Sequence, residues 1–123
     1  MGWAGERIYN KHMIIGGNKL RKADIDISAS GDTEIIAAPG AGKYIAIDHI
    51  HVFPASSVTV QFKDGSTDYG GSYPLDAKQP ITLENSMEDQ DGVFTMSDNS
   101  AFNINLGSAV ALTGIVRYRI VGD

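Results

Sequence analysis

From Ala23 to Ser28 the chain alternates. Ala23, Ile25 and Ile27 share one face and Asp24 and Asp26 the other, the two-residue period of a half-buried strand. Ser30-Gly31-Asp32 reads as a turn, and Thr33–Ala37 follows as a β-rich run. Pro39-Gly40-Ala41-Gly42 breaks that run, and Lys43–Phe53 then predicts a long apolar strand ended by Pro54. Val58, Val60 and Phe62 alternate with Thr59 and Gln61. Asp64-Gly65 opens a segment that reads as a loop to about Pro80, with Tyr69, Gly70, Gly71, Tyr73 and Pro74 in it. Loops of that length in compact domains are usually functional or mobile. Ile81–Glu84 predicts a short strand, Asn85–Asp91 an acidic turn and Gly92–Ser97 another strand. Two runs close the chain. Phe102, Ile104 and Leu106 share one face, and Val110, Leu112, Val116, Tyr118 and Ile120 share another. These two have the clearest alternation and are expected at the sheet centres. About eight strands with short turns, and no sustained helical period after residue 22, favour a sandwich, a jelly roll or a small barrel.

The first 22 residues do not share this pattern. Glu6–Lys11 has a helix-like start, but Gly16-Gly17-Asn18 would stop it early. Trp3, Ile8, Tyr9, Met13, Ile14, Ile15 and Leu20 make the segment too apolar for a freely solvated tail. Charge divides the chain at the same place. Residues 1–22 hold Arg7, Lys11, Lys19, Arg21 and Lys22 against Glu6, a charge of +4. Residues 23–123 hold the other five bases against fourteen acids, a charge of −9. The expected organisation is therefore a basic N-terminal arm, 1–22, on an acidic β-body, 23–123.

Other features exclude whole classes of function. Cysteine is absent, so disulfides and thiolate metal sites are out. No apolar run approaches the ~20 residues of a membrane span. Met13–Ile15 is the longest apolar stretch near the N-terminus, which is not the pattern of a signal peptide. The acidic body argues against nucleic acid as a partner.

Gly40-Ala41-Gly42-Lys43 lacks the earlier glycine of a phosphate loop, has Tyr44 where Ser or Thr is needed, and leads into a strand. His49 and His51, two apart on a strand, share a face unless a bulge near Asp48 separates them. A His-x-His strand resembles part of the cupin motif, but no Glu follows closely and the third histidine, His12, lies in the arm. Two imidazoles are too few for a dedicated metal site. Glu84, Glu88, Asp89 and Asp91 lack calcium-loop spacing and read as a solvated turn, as do Asp64 and Asp68. No Gly-x-Ser-x-Gly elbow occurs. The expectation is no catalytic residue, no metal and no cofactor. Arg117 and Arg119 share a strand face and are expected to pair with acids across the sheet or on a neighbour.

Thr33–Val52, Gly92–Leu106 with its Asp98–Leu106 run, and Thr113–Tyr118 resemble the small β-sandwich virion proteins of tailed bacteriophages, above all capsid decoration (cement) proteins. That resemblance implies an all-β, jelly-roll-like antiparallel sandwich of about eight strands with an extended N-terminal arm. It implies self-association, commonly as a homotrimer, on the outside of a virion capsid. It also implies an arm that contacts the major capsid protein. The expected contact residues are Trp3, Arg7, Ile8, Tyr9, Lys11, Met13, Ile14 and Ile15 of the arm, with Tyr69 and Tyr73 of the 64–80 segment. Trp and Tyr are favoured interface anchors. A position in the tail or baseplate, a carbohydrate-binding module using Tyr69, Tyr73 or Trp3, or a cupin-like metal protein using His49 and His51 fits the same sequence.

Overall fold

The computed structural model describes residues 14–15, 18–85 and 92–122. Every regular element among them is a strand. They are β1 (Ile14–Ile15), β2 (Asn18–Lys19), β3 (Arg21–Ile27), β4 (Gly31–Ile36), β5 (Lys43–Pro54), β6 (Val58–Asp64), β7 (Thr67–Asp68), β8 (Tyr73–Leu75), β9 (Ile81–Glu84), β10 (Phe94–Thr95), β11 (Phe102–Leu106) and β12 (Leu112–Gly122). β1 and β2 form a separate antiparallel hairpin. The rest form two antiparallel sheets. The first runs β3-β12-β5, with β9 and β10 sharing the outer edge of β5. The second runs β4-β11-β6, with β7 and β8 sharing the outer edge of β6.

Counting β7/β8 and β9/β10 as one broken strand each, the sandwich has eight strands. The first pairs with the eighth, the second with the seventh, the third with the sixth and the fourth with the fifth. This is a long hairpin rolled up on itself, the jelly roll. Its last two strands are central, as their alternation predicts: β12 lies between β3 and β5, and β11 between β4 and β6.

Alternation supplies the core. Ile25 and Ile27, Ile45, Ile47, Ile50 and Val52, and Leu112 and Val116 face inward from the first sheet. Val58, Val60 and Phe62, with Phe102, Ile104 and Leu106, meet them from the second. Each side chain fully buried this way stabilises the fold by about 1.5–3 kcal/mol relative to exposure. Phe62, Phe94 and Phe102 form a ring cluster with centroids 5.7–5.9 Å apart.

Two expectations change. The 64–80 segment is not an open loop, because β7 and β8 in it build the edge of the second sheet. Gln61 holds the segment between them. Its Nε2 donates to the carbonyls of Tyr69 and Gly70 at 3.3 and 3.2 Å, and its Oε1 accepts from Ser72 Oγ at 2.9 Å. Second, β3 begins at Arg21, so Arg21 and Lys22 are strand residues opposite Tyr118 and Arg117.

At the centre of the first sheet Gly114 lies opposite Val52. A Cβ there would sit 1.9 Å from the His51 carbonyl oxygen. Only glycine allows β12 and β5 to approach this closely. Gly114→Ala is expected to lose at least about 1–3 kcal/mol, the usual range for overpacking. Urea unfolding would show it as a lower midpoint at unchanged slope.

Candidate functional site

The first sheet has a second, polar side. On β5, Arg117 faces His49 and Tyr118 faces Ile47, so Asp48 is an extra residue bulged out of the ladder. The bulge reverses the alternation. Before it Ile45 and Ile47 point into the core, and after it Ile50 and Val52 do. His49, His51 and Phe53 therefore share the outer face. Because the bulge precedes both histidines, it does not separate them.

Asp48 and Arg119 are fully buried on that outer side. Arg119 Nε and Nη2 donate to Asp48 Oδ2 and Oδ1 at 2.7 and 2.8 Å, a bidentate pair. Asn85 Nδ2 donates to Oδ1 at 3.1 Å. Two backbone bonds lock the same point: Asn85 N donates to the Asp48 carbonyl at 2.7 Å, and Val93 N to the Ile47 carbonyl at 2.6 Å. The end of β9 and the approach to β10 thus meet at the bulge. Gly92 (φ 71°) makes this possible, since a Cβ would lie 2.3 Å from the Ile47 oxygen. Leu20, Ala46 and Val121 are also buried, outside the main core cluster. The β1–β2 hairpin contacts β12, and Leu20 joins it to β3. Arg119 therefore meets its acid within its own sheet.

The other half of the outer face is open. Here Glu84, His49, Arg117 and Lys22 form one cross-strand row, and Thr82, His51, Ile115 and Asp24 the next. Phe53 and Thr113 follow, with Asp26 beyond. His51 Nδ1 shares a 2.6 Å hydrogen bond with Thr82 Oγ1. His49 Nδ1 lies 4.0 Å from Glu84 Oε2. Among the described residues no group of three metal-ligating side chains assembles.

Of the contact residues named from sequence, Trp3, Arg7, Ile8, Tyr9, Lys11 and Met13 lie outside the described residues, as do His12, Glu88, Asp89 and Asp91. Ile14 and Ile15 form β1. Tyr69 and Tyr73 are exposed, yet their rings pack on Phe94 and Phe62 with centroids 4.9 and 5.5 Å apart. They cap one open edge of the sandwich. Asp64 and Asp68 also have structural partners. Asp68 pairs with Lys63 at 3.0 Å. Asp64 accepts from the Ser97 N–H at 3.0–3.1 Å and the Ser97 hydroxyl at 2.6 Å. Phe53 is a surface residue that the sequence does not single out, because it stands only as the last residue of the long apolar strand predicted over Lys43–Phe53. The only signal was the bulge, which shifts its parity.

No protein-family model matches the chain, and no curated protein matches it significantly.

Two predictions follow from the charges. Asp48→Ala removes the carboxylate from the buried Arg119 guanidinium and is expected to cost about 3–5 kcal/mol in urea unfolding. The double variant Asp48→Leu, Arg119→Met should recover much of that loss. Partial burial opposes the charge on Asp64, yet hydrogen bonds from Ser100 and Ser97 outweigh it and hold its carboxyl below the ordinary value. Its contribution is therefore present above the unfolded aspartate pKa of about 3.9. It is lost as pH falls through the lower folded value. Asp64→Asn should melt below the wild type at pH 7, with the gap closing in acid.

Proposed function

We propose that this protein is a non-enzymatic structural component of a virion, a capsid decoration protein that binds the outer capsid surface and holds neighbouring capsomers together. One observation carries the reading. The jelly roll is preceded by a hairpin, β1–β2, that belongs to neither of its sheets. The polar groups buried beside that hairpin's junction with β3, Asp48, Arg119 and Asn85, are tied to one another. They serve as framework.

The segment before β1 combines Arg7 and Lys11 with Trp3, Ile8 and Tyr9. On this reading the bases steer it to an acidic capsid surface, and the apolar residues hold it there. Screening limits the steering to about 8 Å at physiological salt. Burial of the apolar residues contributes about 25 cal/mol per Å² before ordering costs. Self-association as a trimer would multiply these contacts, because each later contact forms at high effective concentration.

Co-sedimentation of the full-length protein with purified particles of the virus that encodes it tests this. Trp3→Ala with Ile8→Ala should abolish binding at unchanged thermal stability. Arg7→Glu with Lys11→Glu should mainly slow it and flatten its salt dependence. Absence of the chain from purified virions would overturn the proposal. A strict monomer at micromolar concentration by sedimentation velocity would remove the trimer.

A further inference from the structure

The open half of the outer face carries one base, Arg117, that no described residue pairs with. Lys22 of β3 stands directly opposite Arg117 of β12, and His49 of β5 stands on the other side of Arg117. Like charges directly opposite on neighbouring strands destabilise a sheet. Lys22 is relieved by Asp24 at 3.4 Å, and His49 has Glu84 at 4.0 Å. Arg117 is exposed and has no ion pair or hydrogen bond among the described residues. Arg117 and Lys22 are thus adjacent bases on a body of net acidic charge, and only Lys22 has an acid of its own.

An apolar feature lies beside these bases. Phe53, at 43% the most exposed large apolar side chain among the described residues, projects opposite Thr113. Its ring sits edge-on to His51, 4.9 Å away. Phe53, Pro54, Ala55, Lys78, Ala111 and Thr113 line an open cleft of about 400 Å³ with mostly apolar walls. Arg117 and the cleft are joined along β12 by Ile115.

We propose that this face docks an extended acidic segment of a partner protein, with a carboxylate on Arg117 and Lys22 and one large apolar side chain in the cleft beside Phe53. This deepens the docking function above and rests on it. Charge selects the partner's sign: an acid gives Arg117 the partner it lacks beside Lys22, whereas a base adds to their repulsion. Register sets its spacing. Arg117 and Thr113 are four residues apart on β12, about 13 Å at ~3.3 Å per residue. A segment lying along β12 therefore carries its acid and its apolar residue about four positions apart. Lys78, which also lines the cleft, receives a second acid beyond the apolar residue. Glu84, Asp24 and Asp26 border the two bases and repel acids that are out of register.

Amide NMR of the full-length ¹⁵N-labelled protein tests this, with the synthetic peptide Gly-Glu-Thr-Ser-Thr-Leu-Glu-Gly as probe and its Glu-to-Lys counterpart as control. Shifts are expected at Lys22, His51, Phe53, Thr113, Ile115 and Arg117, weakening as salt rises. Arg117→Glu and Phe53→Ala, both at exposed side chains, should each lower the affinity about tenfold with the rest of the spectrum unchanged. The proposal is overturned by shifts that map elsewhere, no shift at millimolar peptide, equal binding of the Lys peptide, or undiminished binding by Arg117→Glu. Concentration-dependent shifts of the same amides without peptide also overturn it, because a second copy is then the occupant. If the peptide binds here while the chain is absent from virions, the decoration function falls and the docking face stands. If particles bind the Arg117→Glu variant normally, the face falls and the decoration function stands.

Discussion

The bulge at Asp48 and the ion pair it makes with Arg119 set much of the arrangement of this jelly roll. Two charges taken fully out of water are tolerable only when each satisfies the other. Here the bidentate geometry and the Asn85 amide do so. The pair joins the first sheet's central strand β12 to its neighbour β5. Through Asn85 it also fixes where β9 stops. The bulge then decides which way the rest of β5 faces. Without the extra residue, His49, His51 and Phe53 would point into the core, and Ile50 and Val52 would point out. A buried ion pair is weak evidence for net stability. Its clearer role here is to select one register.

The second sheet is tied at its edges by different means. β7 and β8 are too short to hold an edge alone, and Gln61 supplies the bonds that the ladder between them lacks. Tyr69 and Tyr73 close the same side by packing on Phe94 and Phe62. On the opposite side the outermost strands, β3 and β4, carry Asp24, Asp26, Asp32 and Glu34. Charges on an exposed edge discourage unwanted strand pairing. The sandwich is thus latched on one side and charged on the other.

A jelly roll hosts many functions, so the fold alone assigns none. What distinguishes this chain is the division of one sheet face. Its buried half joins the β1–β2 hairpin to the body. Its open half offers a base, an aromatic ring and a cleft in a line along β12.

The two-residue period alone was enough to read the all-β class, the number of strands and the central places of β11 and β12. Burial on one face writes that period directly into sequence. The Gly114 approach, the Gln61 latch and the outward turn of Phe53 were not legible. Each depends on which strands become neighbours, and pairing partners leave no mark on local alternation. Gly114 looked like any strand glycine until β5 was placed beside it. Asp48 marks the boundary most clearly. From sequence it was a polar residue in an apolar strand and a suspected bulge. Only the rolled-up topology brought Arg119, 71 residues away, within 2.7 Å and made the bulge the site where the sheet is fastened.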